Sequence, residues 1–405
     1  MNPDQQHALE VVQNGRNAFL TGPGGVGKSF TISEIKKWAY SANKKIAITA
    51  TTGSAAFIIG GKTIHSYLGI GLAKEEIEVL IRIVCRKTKI ANQLRKLDIL
   101  IIDEVSMLSD ELITKIAKLL SAVRNNPAPF GGVQMIFVGD MCQLPPVIGN
   151  FAFHSSEWKS GMIEICNLTI NMRQKDDPVF LDLLERLRFG KSTKADYNFL
   201  KNLQNTEFPT GIKPTRLFPI NADVDRINSA ELQKLQTSIS KYKVEPDPND
   251  INASMAWFKS AAIPEELQLC VGAQVVLLVN LNHEIGLVNG ARGTVLSLYD
   301  NYAYVSFSSG ININIEYKST LIDNSGKSLS VAYLPLKLAW ALSIHRCQGM
   351  TLDAIEVDIG TNIFSPGQAY TALSRAKNSK SVKITKIEPK SLSCSKDVIA
   401  FYTKK

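Results

Sequence analysis

Gly22, Pro23, Gly24, Gly25, Val26, Gly27, Lys28 and Ser29 follow one another in the spacing G-x-x-x-x-G-K-[ST], between the apolar run Ala18-Phe19-Leu20 and an amphipathic stretch that opens with Phe30. Residues of these types in this order make a cradle for phosphate. Glycines let successive backbone N–H groups turn inward without Cβ clashes, and the N-terminus of the following helix adds its positive dipole end. Lys28 is placed to reach the β- and γ-phosphates of a nucleotide, and the Ser29 hydroxyl to hold Mg²⁺. A glycine-rich turn without function is the alternative, and the strand before and helix after the run argue against it.

Asp98-Ile-Leu-Ile-Ile-Asp103-Glu104 is the second cluster. Four apolar residues predict a buried strand from which two carboxylates emerge. Asp103 suits the Mg²⁺ that Ser29 also holds, and Glu104 suits polarising a water for attack on phosphorus. Val133-Gln-Met-Ile-Phe-Val-Gly139-Asp140-Met-Cys-Gln143 predicts another buried strand, with Gln143 in reach of a γ-phosphate and Pro145 and Pro146 stiffening the loop behind it. Thr52 and Thr63-Ile64-His65 stand at turns after short strands, where small hydroxylated residues suit a sugar–phosphate chain. Taken alone, His65 reads as a packed core histidine rather than a contact. Gln5, near the start of a helix predicted for residues 2–14, is either an exposed polar residue or an amide for an adenine edge.

The elements that position these residues alternate strand and helix through the first part of the chain, which predicts an α/β sheet with its ligands at the strand ends. Residues 74–97 are helical in period and basic in their second half, and read as an excursion from the sheet. A new unit is expected from Leu168. Residues 271–332, with short strands between Gly, Asn and Asp turns, predict a small all-β barrel inserted in a second α/β domain. The length of 405 residues suits several domains, and 45% hydrophobic with 20% charged residues excludes a disordered chain. Six singly placed cysteines argue against a disulfide framework or a zinc site. The start, Met1-Asn-Pro-Asp-Gln-Gln, lacks a signal-peptide pattern, and no apolar run approaches the ~20 residues of a membrane span. A soluble, intracellular protein with no membrane partner is expected, in cytoplasm or nucleoid. The net charge of +9 favours a polyanionic partner.

These blocks in this order resemble superfamily-one DNA helicases, most closely the Pif (petite integration frequency) family of the RecD-like branch. The least common pieces are Thr52-Gly-Ser-Ala-Ala with Gly-Gly-Lys-Thr63-Ile-His65, Pro129-Phe-Gly-Gly with Gly-Asp-Met-Cys-Gln143-Leu-Pro-Pro-Val, Leu287-Val-Asn-Gly-Ala-Arg-Gly-Thr-Val, and Leu338-Ala-Trp-Ala-Leu-Ser-Ile-His-Arg-Cys-Gln-Gly-Met-Thr-Leu-Asp. The resemblance implies two RecA-like P-loop domains in tandem, 1A over 1–167 and 2A over 168–270 and 333–405. It adds a wedge-type insertion at 66–97 in the first and an SH3-like barrel, 2B, over 271–332 in the second. It implies ATP and Mg²⁺ as cofactors, Gln5 as the adenine reader, and Gln143 as the γ-phosphate sensor. Arg173 and Arg375 become arginine fingers, both from the second domain, and Gly349 joins the nucleotide set. Thr52, Thr63, His65 and Pro145 on one domain, and Ser343, His345 and Arg346 on the other, become contacts to DNA. The implied activity is ATP-driven 5′ to 3′ movement on single-stranded DNA with unwinding of duplex. The alternative is a DNA-stimulated translocase or a nucleotide-gated binding module without unwinding. Single-stranded DNA and junctions with duplex are the implied partners, G-quadruplexes and RNA–DNA hybrids further ones, and the free protein is expected to be a monomer. About thirty residues follow Arg375, so the extra terminal domains of larger relatives are expected to be missing. DNA repair, recombination, replication and telomere maintenance are the processes such a family serves.

Overall fold

The computed structural model describes residues 1–208, 213–219, 221–260, 263–282, 285, 287–324 and 327–403. The chain folds as two compact units, Met1–Lys175 with Ser395–Lys405, and Asp176–Cys394. The expected boundary at residue 167 therefore moves to 175, and the last residues of the chain leave the second domain for the first.

In the first unit the order is α1 (Pro3–Gln13), β1 (Ala18–Thr21), α2 (Lys28–Ser41), β2 (Ile46–Ala50), α3 (Gly53–Ile58), β3 (Lys62–Thr63), α4 (Ile64–Leu68), α5 (Ile77–Arg86), α6 (Thr88–Arg95), β4 (Ile99–Asp103), α7 (Asp110–Arg124), β5 (Gln134–Gly139), α8 (Ser156–Ser160) and β6 (Glu164–Asn167). The six strands form one parallel sheet in the order β3-β2-β4-β5-β1-β6. β1 and β4 are buried at every position, as central strands of a parallel sheet covered on both faces must be. Ala8, Val11 and Val12 of α1 and Ile32, Ile35 and Ala39 of α2 pack in one core with Leu20, Ile101, Ile136 and Val138 of the sheet. α1 starts on a capping box: Asn2 Oδ1 accepts the Gln5 N–H at 2.9 Å and Gln5 Oε1 accepts the Asn2 N–H at 3.0 Å, with Pro3 in the first turn. The basic excursion is two helices, α5 and α6, broken at Lys87. They bury Leu80, Val84, Ile90, Ala91 and Leu94 and lie against α7.

Two connections explain the shifted boundaries. After β6, the Leu168 N–H still donates to Thr21 O at 2.7 Å, and the chain stays with the sheet through Gln174. At the other end the helix Lys396–Thr403 buries Val398 and lays the Phe401 ring on Phe153, with centroids 4.5 Å apart, and near Phe19 and Trp158 at 6.1 and 6.2 Å.

The second unit runs α9 (Pro178–Arg188), α10 (Lys194–Asn202), β7 (Thr215–Phe218), α11 (Asn221–Lys234), β8 (Ser240–Lys243), α12 (Ile251–Ser260), β9 (Glu266–Leu269), β10 (Gln274–Leu277), β11 (Arg292–Leu298), β12 (Tyr302–Phe307), β13 (Asn312–Glu316), β14 (Lys318–Asn324), β15 (Lys327–Tyr333), β16 (Leu336–Leu338), β17 (Ala341–Ser343), β18 (Ile355–Ile359), α13 (Gln368–Leu373) and β19 (Val382–Ile387). β17-β7-β18-β19 form a parallel sheet. The inserted β module is an antiparallel five-stranded sheet, β13-β12-β11-β10-β16, and so reaches Leu338 rather than the expected 332. Its core also takes in Tyr242, Leu267 and Leu269 from the β8–β9 pair, upstream of the expected start.

Deleting residues 395–405 removes buried Val398 and the Phe401 ring from the first unit. Thermal unfolding followed by Trp158 fluorescence is expected to show that unit weakened by on the order of 3–5 kcal/mol. An unchanged melt would separate the helix from the first unit's core.

Candidate functional site

β4, β5 and β1 lie side by side, and all three deliver candidate residues at their C-terminal ends. From β1 comes the glycine-rich turn. Gly22 has φ +148°, and a Cβ there would lie 2.2 Å from the Leu168 carbonyl oxygen, so no larger residue fits. Gly27 has φ +86° and opens α2. A Cβ on it would meet Gln5 Nε2 at 2.6 Å. Val26 is buried in the core while Ser29 and Phe30 face outward. Lys28 Nζ donates to Gly22 O at 2.7 Å and Pro23 O at 2.9 Å, bridging the turn from inside. Gln5, the candidate adenine reader, is buried and uses both ends of its amide: Oε1 caps α1, and Nε2 donates to Val26 O at 3.4 Å.

From β4 come the two acids. Asp103 is 7% and Glu104 8% exposed. Glu104 adopts left-handed backbone angles, φ 53° and ψ 45°, unusual for a glutamate. That turn lets its N–H donate to Asp103 Oδ1 at 2.8 Å. Thr51 holds the turn from β2, its N–H on Asp103 O at 3.1 Å and its Oγ1 on Glu104 O at 2.9 Å. Burial, then the neighbouring Glu104 charge, pushes the Asp103 carboxyl up to about 7, against the pull of the Glu104 amide and of Lys28. Two buried acids with a lysine in their field, and a serine hydroxyl at the start of α2, are a hard-oxygen donor set that asks for a cation. A few protein ligands with phosphate oxygens completing the shell is the habit of Mg²⁺. The residues fit the metal that the resemblance implies.

From β5 comes the loop of the candidate sensor Gln143, here called the sensor loop. Asp140 is fully buried, its Oδ1 accepts the Cys142 N–H at 3.1 Å, and the Gln143 N–H donates to Asp140 O at 3.0 Å. Gln143 is buried, Pro145 half-buried, and Val147 and Ile148 beyond it are 81% exposed.

Sequence reasoning missed the strap that covers the cradle. Asn171 Nδ2 donates to Gly24 O at 2.9 Å, and its Oδ1 accepts the N–H groups of Arg173 and Gln174, both at 2.9 Å. The Met172 N–H donates to Gly25 O at 2.9 Å. The strap is tied to α1 as well, through Thr169 N–H and Oγ1 on Asp4 Oδ2. A Cβ on Gly25 would lie 2.5 Å from Arg173 Cβ. Arg173 thus belongs to the cradle's own unit and not to the second, because its backbone is bonded there. Glycines in the cradle with an asparagine in Asn171-Met-Arg173-Gln174 were the available signal.

In the second unit Arg375 is 2% exposed. Its Nε donates to Thr371 O at 3.0 Å and its Nη2 to Ser374 Oγ at 2.8 Å, so the guanidinium lies along its own helix. Ser343 ends β17, and its carbonyl accepts the N–H groups of Arg346 and Cys347, both at 3.0 Å. This turn carries His345 and Arg346, both half-buried, and leads to exposed Gly349 at φ +80°. In the first unit Thr52 Oγ1 accepts the Ala55 N–H and Thr63 Oγ1 the Ser66 N–H, both at 3.2 Å, so each caps a short helix. Burial holds both His65 and His345 below the ordinary histidine value, which keeps the rings neutral near pH 7. Among the described residues no cluster of three or more His, Cys, Asp or Glu side chains is placed to hold a metal, and no helix is long and apolar enough to cross a membrane.

Asp103 binds its proton more tightly folded than unfolded, so its ionisation weakens the fold as pH rises from about 4 to about 7, and the deficit is full above that. Asp103→Asn removes the deficit. Without Mg²⁺ the variant is expected to melt above the unsubstituted protein at pH ~8.5, with the gap closing toward pH ~4. A pH-independent gap would remove the buried charge as its cause.

Comparison with known proteins places the chain. The model of the PIF1-like helicase family matches residues 1–197, and that of the DNA helicase Pif1 2B domain matches 259–298. The chain is 35% identical to the ATP-dependent DNA helicase PIF1 of Danio rerio over 99% of its own length and 63% of that protein's, so it spans less than two thirds of this relative. It is 33% identical to the crystal structure of Pif1 helicase from Candida albicans, with a TM-score of 0.81 over 99% of this chain and 98% of that one. Pif1 helicase from Bacteroides in complex with ADP-AlF3 and ssDNA gives 28% identity and a TM-score of 0.67, covering 99% and 96%. With the P-loop, the acid pair and the sensor loop on three adjacent strands, and an SH3-like 2B module in its second unit, the chain belongs to the PIF1-like helicase family.

Proposed function

We propose that this protein is an ATP-dependent DNA helicase that moves 5′ to 3′ along single-stranded DNA and separates the duplex ahead of it. The observation that carries the reading is the meeting of Lys28, the Asp103–Glu104 pair and Gln143 at the ends of three neighbouring strands. A protein that only bound nucleotide would have no use for Glu104, a buried carboxylate held in an unfavourable backbone conformation. In the proposed reaction Glu104 accepts a proton from the attacking water. The water oxygen bonds to the γ-phosphorus, and the bond from that phosphorus to the bridging oxygen breaks to leave ADP and phosphate. Lys28 exchanges Gly22 O and Pro23 O for phosphate oxygens, and Gln143 orients the γ-phosphate. Mg²⁺, held by Ser29 and Asp103, supplies charge neutralisation on the β- and γ-phosphates when bound. Arg173 adds a cation from the cradle's own strap. Arg375, released from Thr371 and Ser374, adds another from the second unit, a contribution worth on the order of 10³–10⁵ in rate for such arginines.

For the nucleic acid, Thr63 uses an oxygen lone pair on a helix N–H, which leaves its hydroxyl proton for a phosphate oxygen, and Thr52 caps the helix beside it. Neutral His65 and His345 offer rings for stacking and single N–H donors, and Arg346 holds the backbone on the second unit from the turn that buried Ser343 starts. The Bacteroides relative, crystallised with ssDNA, supports the substrate class. Pro145 keeps the sensor loop stiff between nucleotide and DNA.

Unwinding of duplexes with a 5′ or a 3′ single-stranded tail, with ATP, tests the reading. Strand separation is expected on the 5′-tailed substrate alone. Separation of both equally, or ATP hydrolysis that single-stranded DNA does not stimulate, would overturn it. Glu104→Gln is expected to lower hydrolysis by about 10²-fold or more while ATP binding persists. Retained turnover would take the base role from Glu104.

A further inference from the structure

We propose that Tyr402, on the C-terminal helix of the first unit, is a positioning residue for the γ-phosphate side of the nucleotide site, acting through the backbone of Met141. The inference rests on the nucleotide reading above. Tyr402 Oη lies 2.6 Å from Thr21 Oγ1 and accepts the Met141 N–H at 3.3 Å. A phenol has one proton to give and two lone pairs, so it can accept from Met141 and still share a hydrogen bond with Thr21. The two partners are the residue before the cradle and a residue of the sensor loop between Asp140 and Gln143.

These two ties are unequal in what they add. Thr21 is held without Tyr402: it pairs in register with Gly139 on one side and Asn167 on the other, and its carbonyl accepts from Leu168. Met141 lies past the end of β5, where the strand ladder has run out. The hydroxyl supplies at Met141 what the sheet no longer does. Its own position is fixed by neighbours with no part in the chemistry. Phe401 is stacked on Phe153, with ring planes 18° apart, and Asp397 lies 3.4 Å from His154. The aromatic anchor places the ring, and the hydroxyl places the loop.

The consequence is selective. ADP needs the cradle, which Thr21's strand pairing secures. A nucleotide with a γ-phosphate also needs Gln143, two residues beyond Met141. In Tyr402→Phe the affinity for Mg²⁺-ADP is expected to stay within about twofold, while the preference for the non-hydrolysable analogue Mg²⁺-AMPPNP over ADP falls about threefold to tenfold, the net worth of one hydrogen bond. The kcat for DNA-stimulated ATP hydrolysis is expected to fall by a similar factor. Adding Tyr402→Phe to Thr21→Val isolates the Met141 bond from the Thr21 bond, and the same loss of preference is expected on that background. Equal weakening of both nucleotides, an unchanged preference, or unsubstituted protein with no preference to lose would each overturn the assignment. Should the unsubstituted protein fail to hydrolyse ATP, the helicase reading falls, and the ratio of the two affinities still decides this one.

Discussion

Two carboxylates side by side at the end of a buried strand set the terms for the first unit. Water would dissolve their mutual repulsion, and here there is little water. The Asp103 carboxyl is pushed up despite a backbone amide and a lysine in its field. The structure spends three features on keeping the pair in place. Glu104 accepts a left-handed backbone, Thr51 ties the turn to β2 twice, and the Lys28 charge pulls on Asp103. Such an arrangement is strain held in place by its neighbours.

The sheet order turns that local demand into a site. With β4, β5 and β1 adjacent, acid pair, sensor loop and phosphate cradle all leave the sheet at the same edge. The chain then binds this edge from two further directions. The strap Thr169–Gln174 pins the cradle through Asn171 and Met172, and Tyr402 joins the first residue before the cradle to the sensor loop. Asn171, Met172 and Tyr402 are uncharged. They limit how far loops rich in glycine can drift, which is what a pre-organised site requires.

The central strands were legible because a parallel sheet buries both faces. Ile99–Asp103 and Gln134–Gly139 read as apolar runs, and the turns after them carry the residues that chemistry needs. The cradle was legible for the same reason that Gly22 tolerates no Cβ: sterics leave one residue type. What could not be read was which unit a connecting segment joins. Leu168 to Gln174 looks like a fresh start because it follows a strand and precedes a helix, yet its hydrogen bonds run back to Thr21, Gly24 and Gly25. The helix Lys396–Thr403 has an ordinary amphipathic pattern, and nothing local in Phe401 or Tyr402 names partners more than two hundred residues earlier in the chain. The β module reached beyond its expected limits because its core borrows Tyr242 and Leu267 from a separate strand pair, a tertiary choice with no mark in the turn pattern.

The first unit takes its residues from both sides of the second, Met1–Lys175 and Ser395–Lys405. On a ribosome this fixes an order of events. The sheet with its phosphate cradle can assemble early, but Tyr402 is added only after every residue of the second unit has been made. Until the helix Lys396–Thr403 has been made, a nascent chain would thus carry a cradle and a sensor loop that have not yet been fastened together.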